Sequence, residues 1–370
     1  MSKGIYIGVD NIARKVKKTY IGVDSKARKV KKAYIGIGGI ARPFYSAEPE
    51  VTYYGKAPDL SVARSGIAAT TVGNYALFAG GYNNNNGYLD TVDAYTSALV
   101  YTNTVNLSQG KSNLASTVVG DYAIFGGGYD SPSAIATVDT YTSNLAKGTT
   151  ANLSVASYEL AATTVGNYAL FGGGFNTSMV ATVDTYTSNL VKGTVTNLSA
   201  ARRRPVATTV GDYALFGGGY SSDGRSAVVD TYTSGLVKGT ATNLSVARDD
   251  LTATTVGNYA MFAGGNSSNG YSAVVDTYTP NLVKGTATDL SVARYRLAST
   301  SVGDCALIGG GAIGGVTYTA TVDTYTLELV KGVATDLSQA RNLLATTSVG
   351  NYALFAGGSS QSVVDVYQVV

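Results

Sequence analysis

The chain has 370 residues, 27 Lys and Arg, 24 Asp and Glu, and a net charge of +3. Histidine is absent and cysteine occurs once, which excludes a Ser-His-Asp triad, a histidine general base, a Cys/His zinc cage and an intrachain disulfide. Hydrophobic residues make up 45%, enough for a core, and the abundance of Gly, Tyr, Thr and Val favours strands and turns over helices.

The charge is unevenly placed. Residues 1–45 hold 11 Lys and Arg against 2 Asp, which leaves 16 basic and 22 acidic residues for the remainder. A basic head on an acidic body predicts two parts with different partners. The head is a tandem of 14-residue units, YIGVDNIARKVKKT, YIGVDSKARKVKKA and YIGIGGIARPFYSA, starting at Tyr6, Tyr20 and Tyr34. Each unit has a β-favouring start, a turn and a basic run, which predicts successive strands or hairpins. No apolar run suited to a secretory signal follows the basic start, and no membrane span of about 18 apolar residues is present. In ARKVKK, Val alternates with Lys as on a half-buried strand with a wet basic face. Arg14, Lys15, Lys17, Lys18, Arg28, Lys29, Lys31 and Lys32 are therefore the candidate anchoring residues. Aromatic interleaving stops at one Tyr per unit, so an acidic protein surface fits better than nucleic acid. The tandem resembles the N-terminal segments of tail-region structural proteins in phages and prophages of Gram-positive bacteria. That resemblance implies a virion component, assembled in the host cytoplasm, whose residues 1–47 meet other tail or virion proteins.

A second repeat begins at LS in Leu60, Leu107, Leu153, Leu198, Leu244, Leu290 and Leu337, at spacings of 45–47 residues. Four strands read out of each copy. In the third they are strand a over 160–165, strand b over 168–174, strand c over 181–187 and strand d over 190–198, with a Gly166-Asn167 hairpin turn between a and b. The last copy lacks a strand d, and VTYYGKAPDLS (51–61) aligns with that strand. The expectation is an all-β fold. A seven-bladed β-propeller over 48–370 is closed by an N-terminal outer strand and preceded by a short basic β-repeat segment over 1–47. The Gly doublet after strand b, as in FAGG (78–81) and FGGG (171–174), followed by VDTY, resembles the Kelch repeat over residues 51–370. The chain departs from that family in having no Trp on strand d. Apolar residues such as Leu145, Leu190 and Leu236 sit near that place. Kelch propellers include enzymes, adaptors and binders, so the resemblance implies the fold and leaves the function open.

Residues present in every copy read as architecture. The glycines are expected to allow close approach and positive φ rather than to cradle phosphate, since no helix follows them. Asp93, Asp139, Asp184, Asp230, Asp276, Asp323 and Asp365 form a seven-fold set, as do Tyr95, Tyr141, Tyr186, Tyr232, Tyr278, Tyr325 and Tyr367. Both sets read as hydrogen bonding and packing. Cys305 takes a place held by Tyr in other copies and reads as a substituted strand residue. A Kelch-type copper oxidase site fails for want of histidine. A carboxylate-only glycosidase would draw its pair from Glu159, Asp223, Asp249 and Asp250. Adjacent aspartates alternate faces in a strand, which argues against it.

Two places vary between copies, the entry from strand d into strand a and the b–c loop. In an antiparallel four-stranded blade both emerge on one face, while the near-constant a–b turns emerge on the other. The candidate ligand-binding residues on the entry are Tyr158, Glu159, Arg203, Arg204, Asp249, Asp250, Tyr295 and Arg296, and on the loops Tyr82, Tyr129, Phe175 and Tyr220. Such residues stack on and hydrogen-bond to ligands at small entropic cost. Drift in unconstrained loops is the competing reading. The expected function is a non-enzymatic phage tail or fibre protein, present in many copies, without cofactor or metal. Its propeller face binds a host surface glycan or protein. The alternative is a decoration or assembly module whose propeller binds other virion proteins.

Overall fold

The computed structural model describes Glu50–Val370 in full, and before that Val30 and the backbone of six strands. Two compact units emerge, Met1–Glu50 and Val51–Val370, three residues beyond the expected division. In the first unit, Tyr6–Val9 pairs with Ile12–Lys15, Tyr20–Val23 with Lys26–Lys29, and Lys32–Ile37 with Ile40–Ser46. Tyr6 faces Lys15 and Tyr20 faces Lys29, so the first two 14-residue units fold in the same register. The side chains of Arg14, Lys15, Arg28, Lys29 and Lys32, and all of Lys17, Lys18 and Lys31, lie outside the described residues.

The second unit contains seven four-stranded antiparallel sheets among the described residues, numbered here 1–7 in the order of their strands a. Sheet 3 shows the pattern: strand a is Ala161–Val165, b Tyr168–Gly172, c Val183–Thr187 and d Lys192–Val195. Strand a alternates buried and half-buried residues, whereas strand b is buried on both sides after Tyr168 because neighbouring sheets cover both its faces. Strand a of each sheet neighbours strand a of the next, and that of sheet 7 neighbours that of sheet 1. Hydroxyl pairs tie these strands together, such as Thr71–Thr347, Thr117–Thr164 and Thr163–Thr209, each at 2.8 Å. In sheet 7, Val364–Val369 pairs with Val51–Ala57, which serves as the outer strand. The arrangement is β-propeller-like.

Strand d is shorter than the sequence suggests. Leu190 has φ 60°, and its N–H donates to Thr187 O at 2.8 Å, closing a turn after strand c. Leu145, Leu190 and Leu236 therefore belong to c–d turns rather than to strand d, with their side chains packed on the intersheet clusters. Close approach explains Gly172, where a Cβ would stand 3.0 Å from the Phe216 ring of sheet 4. Positive φ explains the next two glycines, Gly173 at 74° and Gly174 at 107°.

The seven-fold residues stitch successive sheets. Tyr186 on strand c donates its hydroxyl to Ala151 O at 2.8 Å, at the end of the preceding sheet's strand d. Every member of the tyrosine set makes the equivalent bond. The aspartates accept the amide of the LS serine, as Asp139 does from Ser108 at 2.9 Å. They also meet a fully buried cation just before strand a. Arg64–Asp93, Lys111–Asp139, Arg202–Asp230, Arg248–Asp276, Arg294–Asp323 and Arg341–Asp365 lie at 2.7–3.1 Å. These arginines also donate to a strand b carbonyl, as Arg248 does to Phe262 O at 3.0 Å, so the buried charge is solvated by protein groups. Sheet 3 is the exception: Ser157 stands in the cation's place, and Asp184 is left with Ser154 and the half-buried Lys192.

Candidate binding face

The chain enters each strand a through two residues with different tasks. The first pairs with the start of the b–c loop: Ser65 with Tyr82, Ser112 with Tyr129, Tyr158 with Phe175, Arg203 with Tyr220 and Tyr295 with Ala312. In sheet 5 the pairing widens into a short strand, Arg248–Asp249 against Asn266–Ser267. Both variable sets thus lie side by side. The a–b and c–d turns are joined to each other instead, as where Ser97 N donates to Asn74 O at 3.0 Å.

The second residue is left-handed in every sheet: Gly66, Asn113, Glu159, Arg204, Asp250, Arg296 and Leu343 have φ between 52° and 67°. Their main chains form a belt from sheet to sheet. Asn113 N donates to Gly66 O at 2.9 Å, Glu159 N to Asn113 O at 3.0 Å, Arg204 N to Glu159 O at 2.7 Å and Arg296 N to Asp250 O at 2.8 Å. These seven residues line an axial cavity of about 510 Å³.

One side of this cavity is charged. Arg204 Nη2 reaches Glu159 Oε1 at 2.7 Å and its Nη1 reaches Asp250 Oδ2 at 3.2 Å. Arg296 Nε meets the same Asp250 oxygen at 3.3 Å, and Arg225 Nε meets Asp249 Oδ1 at 2.9 Å. Burial opposes charge on Arg204, but Asp250 and Glu159 outweigh it and hold its pKa above the ordinary value. Burial pushes the Asp250 pKa up despite Arg204 and Arg296. Asp249 lies in the short strand and Asp250 beyond it in the left-handed region, so the expected alternation along one strand does not apply. Asp223 is exposed at the tip of a b–c hairpin and is not among the cavity-lining residues, which include Glu159 and Asp250 but not Asp249.

The other side is aromatic. Tyr82 packs on Tyr88 at 5.0 Å between ring centres, Tyr88 on Tyr129 at 5.5 Å, Tyr129 on Tyr158 at 4.8 Å and Tyr158 on Phe175 at 5.7 Å. Four of these tyrosines line a second hollow of about 350 Å³, which shares Gly66, Asn113 and Leu343 with the axial cavity. Across the face, Tyr271 stacks on Tyr295 at 4.7 Å with 16° between planes, and Arg296 lies 5.5 Å over the Tyr295 ring. The structure thus gathers all twelve sequence-derived residues onto one face. It adds Tyr88, Arg225 and Tyr271. These three sit on the return limb of b–c hairpins, and only an aromatic or basic residue after the turn Gly marks them in the sequence.

Among the described residues no group of three or more metal-ligating side chains occurs. Cys305 is buried in strand b of sheet 6, where burial pushes its thiol up to about 11. No protein-family model matches the chain, and no curated protein matches it. Among solved structures the chain is similar to YjhT, a β-propeller protein, with a TM-score of 0.60 and 13% identity over 75% of this chain and 99% of that one. At that identity the likeness assigns a β-propeller-like fold and no activity.

Proposed function

We propose that the chain is a seven-bladed, Kelch-like propeller closed by its N-terminal outer strand. In this reading it works without catalysis, as an adhesive component of a phage particle. Residues 1–47 hold it to the tail, and the variable face binds a glycan of the host surface. The observation that carries the binding half is the arc Tyr82, Tyr88, Tyr129, Tyr158 and Phe175 beside two hollows. Half-exposed aromatic faces take the C–H faces of sugar rings, and the neighbouring Ser, Asn and Arg side chains suit sugar hydroxyls. The anchoring half draws on the sequence resemblance of the N-terminal tandem. A single site of millimolar affinity supplies only about −4 kcal/mol, and multiple copies on one particle raise avidity by about 10²–10⁴.

The test uses the full chain, a Tyr129→Ala/Tyr158→Ala variant and a chain lacking residues 1–47. The full chain is expected to retain on immobilised cell-wall polysaccharide and to co-purify with particles. The double variant is expected to lose retention while keeping its melting temperature, and the truncated chain to lose only particle association. Unchanged retention of the double variant would remove the binding half. A second reading, an assembly module, draws on Val191, Val237 and Val283, which stand 62–66% exposed on successive c–d turns. Full incorporation of the truncated chain would favour it.

A further inference from the structure

We propose that Arg203 forms an anion subsite at the end of the aromatic arc, so that the saccharide bound there is acidic, carrying a carboxylate, sulfate or phosphate group. The proposal rests on the saccharide reading of this face and narrows it to a chemical class.

Four arginines other than the buried structural set lie on the variable face, and three are bonded to carboxylates. Arg204, Arg225 and Arg296 reach Glu159, Asp249 or Asp250 at 2.7–3.3 Å. Arg203 differs. Its guanidinium carbon lies 5.6 Å from the centre of the Phe175 ring and 5.4 Å from that of Tyr220, so the group packs against both rings. Its nearest carboxylate oxygen, Glu159 Oε2, is 3.9 Å from Nη1, beyond hydrogen-bond reach. Among the described residues its side chain makes no hydrogen bond, and Nε is buried without a partner. Glu159 is hydrogen-bonded through Oε1 by Arg204 at 2.7 Å, while its buried Oε2 makes no hydrogen bond and meets Arg203 only as the loose ion pair at 3.9 Å.

Arginine carries five N–H donors in a planar fork and stays charged. The two ring contacts restrain the side chain, and with Nε buried the terminal Nη groups are the donors left for a ligand. The backbone beneath is fixed as well, with Arg203 N to Tyr220 O at 3.0 Å and Tyr220 N to Arg203 O at 2.8 Å. An unfilled guanidinium edge is complementary to an oxyanion, which takes two parallel N–H bonds. Phe175 belongs both to the ring pair against Arg203 and to the tyrosine arc. A saccharide lying along Tyr129, Tyr158 and Phe175 therefore carries its acidic group to Arg203.

The test compares full-chain binding to polygalacturonate, to a glycerol-phosphate teichoic polymer and to neutral dextran, over a salt series. The wild-type chain is expected to prefer an acidic polymer, with affinity falling as salt rises. The preferred polymer distinguishes carboxylate from phosphate. Arg203→Gln is expected to weaken acidic-polymer binding at least about tenfold, far more than dextran binding, and to flatten the salt dependence, with no loss of melting temperature. Phe175→Ala, which removes one of the two rings packed against Arg203, is expected to weaken acidic binding less. Equal wild-type binding of acidic and neutral polymers would overturn the anion subsite and leave the saccharide reading intact. An Arg203→Gln variant that keeps its acidic preference would do the same. Binding of none of the three would remove both.

Discussion

Arg248 with Asp276 and Arg204 with Asp250 are the same chemical pair in two regions of one molecule. The first pair is wholly buried at 2.7 Å and recurs, with Lys in one sheet, at six of the seven equivalent places. The second lies in the axial cavity wall at 3.2 Å, keeps 24% and 11% of its side-chain surface, and occurs once. Repetition with full burial marks an ion pair that joins the entry segment to strand c. Single occurrence at a cavity mouth marks an ion pair that shapes a surface. The contrast separates scaffold from site without any alignment.

The largest expected effect comes from breaking the buried pair. Arg248→Ala leaves Asp276 charged without its buried partner and should cost about 3–5 kcal/mol, measured by urea unfolding. Arg204→Ala should cost less, about 1–2 kcal/mol, because the pair is partly exposed and Asp250 keeps Arg296 as a partner. Equal losses in the two variants would collapse the distinction. Next is Ser157→Arg, which restores in sheet 3 the cation that Asp184 lacks and should raise stability by about 0.5–2 kcal/mol, read as a higher melting temperature.

The smallest effect is on pH dependence. Burial alone would raise the pKa of Asp230, but Ser199, Arg202 and Lys238 overturn it, so the folded value lies below the ordinary 3.8. Its stabilisation is present above that pH and is lost as pH falls through the folded value. Asp250 has the opposite shift, so its contribution is present below 3.8 and lost as pH rises through the folded value. Asp230→Asn should therefore flatten the acid limb of a melting-temperature profile below pH 3.8. Asp250→Asn should leave that acid limb unchanged and alter the profile only above it.

The repeat, the four strands and the structural use of the seven Asp and Tyr are readable because each copy restates the same periodicity and burial. The bounds of strand d are less so: Leu190 looks like a strand residue by type but serves a turn through its left-handed backbone. Arg64, Arg202, Arg248, Arg294 and Arg341 stand plainly in five of the seven copies, yet their burial depends on Asp residues about thirty positions onward, a pairing that spacing does not announce. On the variable face, divergence picked out Tyr158 and Arg203. Their contacts with Tyr129 and Phe175 on other segments arise only once adjacent entries and loops meet. Tyr88 and Tyr271 were hidden for the same reason.

The left-handed belt has a consequence for how such a face changes. Of its seven members only Gly66 adopts that backbone freely. Asn113, Glu159, Arg204, Asp250, Arg296 and Leu343 hold it at a cost of about 1–2 kcal/mol each. Because main-chain bonds between neighbours set the conformation, the cost depends little on which side chain is present. Acidic, basic, amide and aliphatic groups already occupy equivalent positions. The belt is therefore a set of interchangeable sockets: a few codon changes can replace what projects into the cavity while every strand register stays where it is, so the cavity lining can change without refolding of the body.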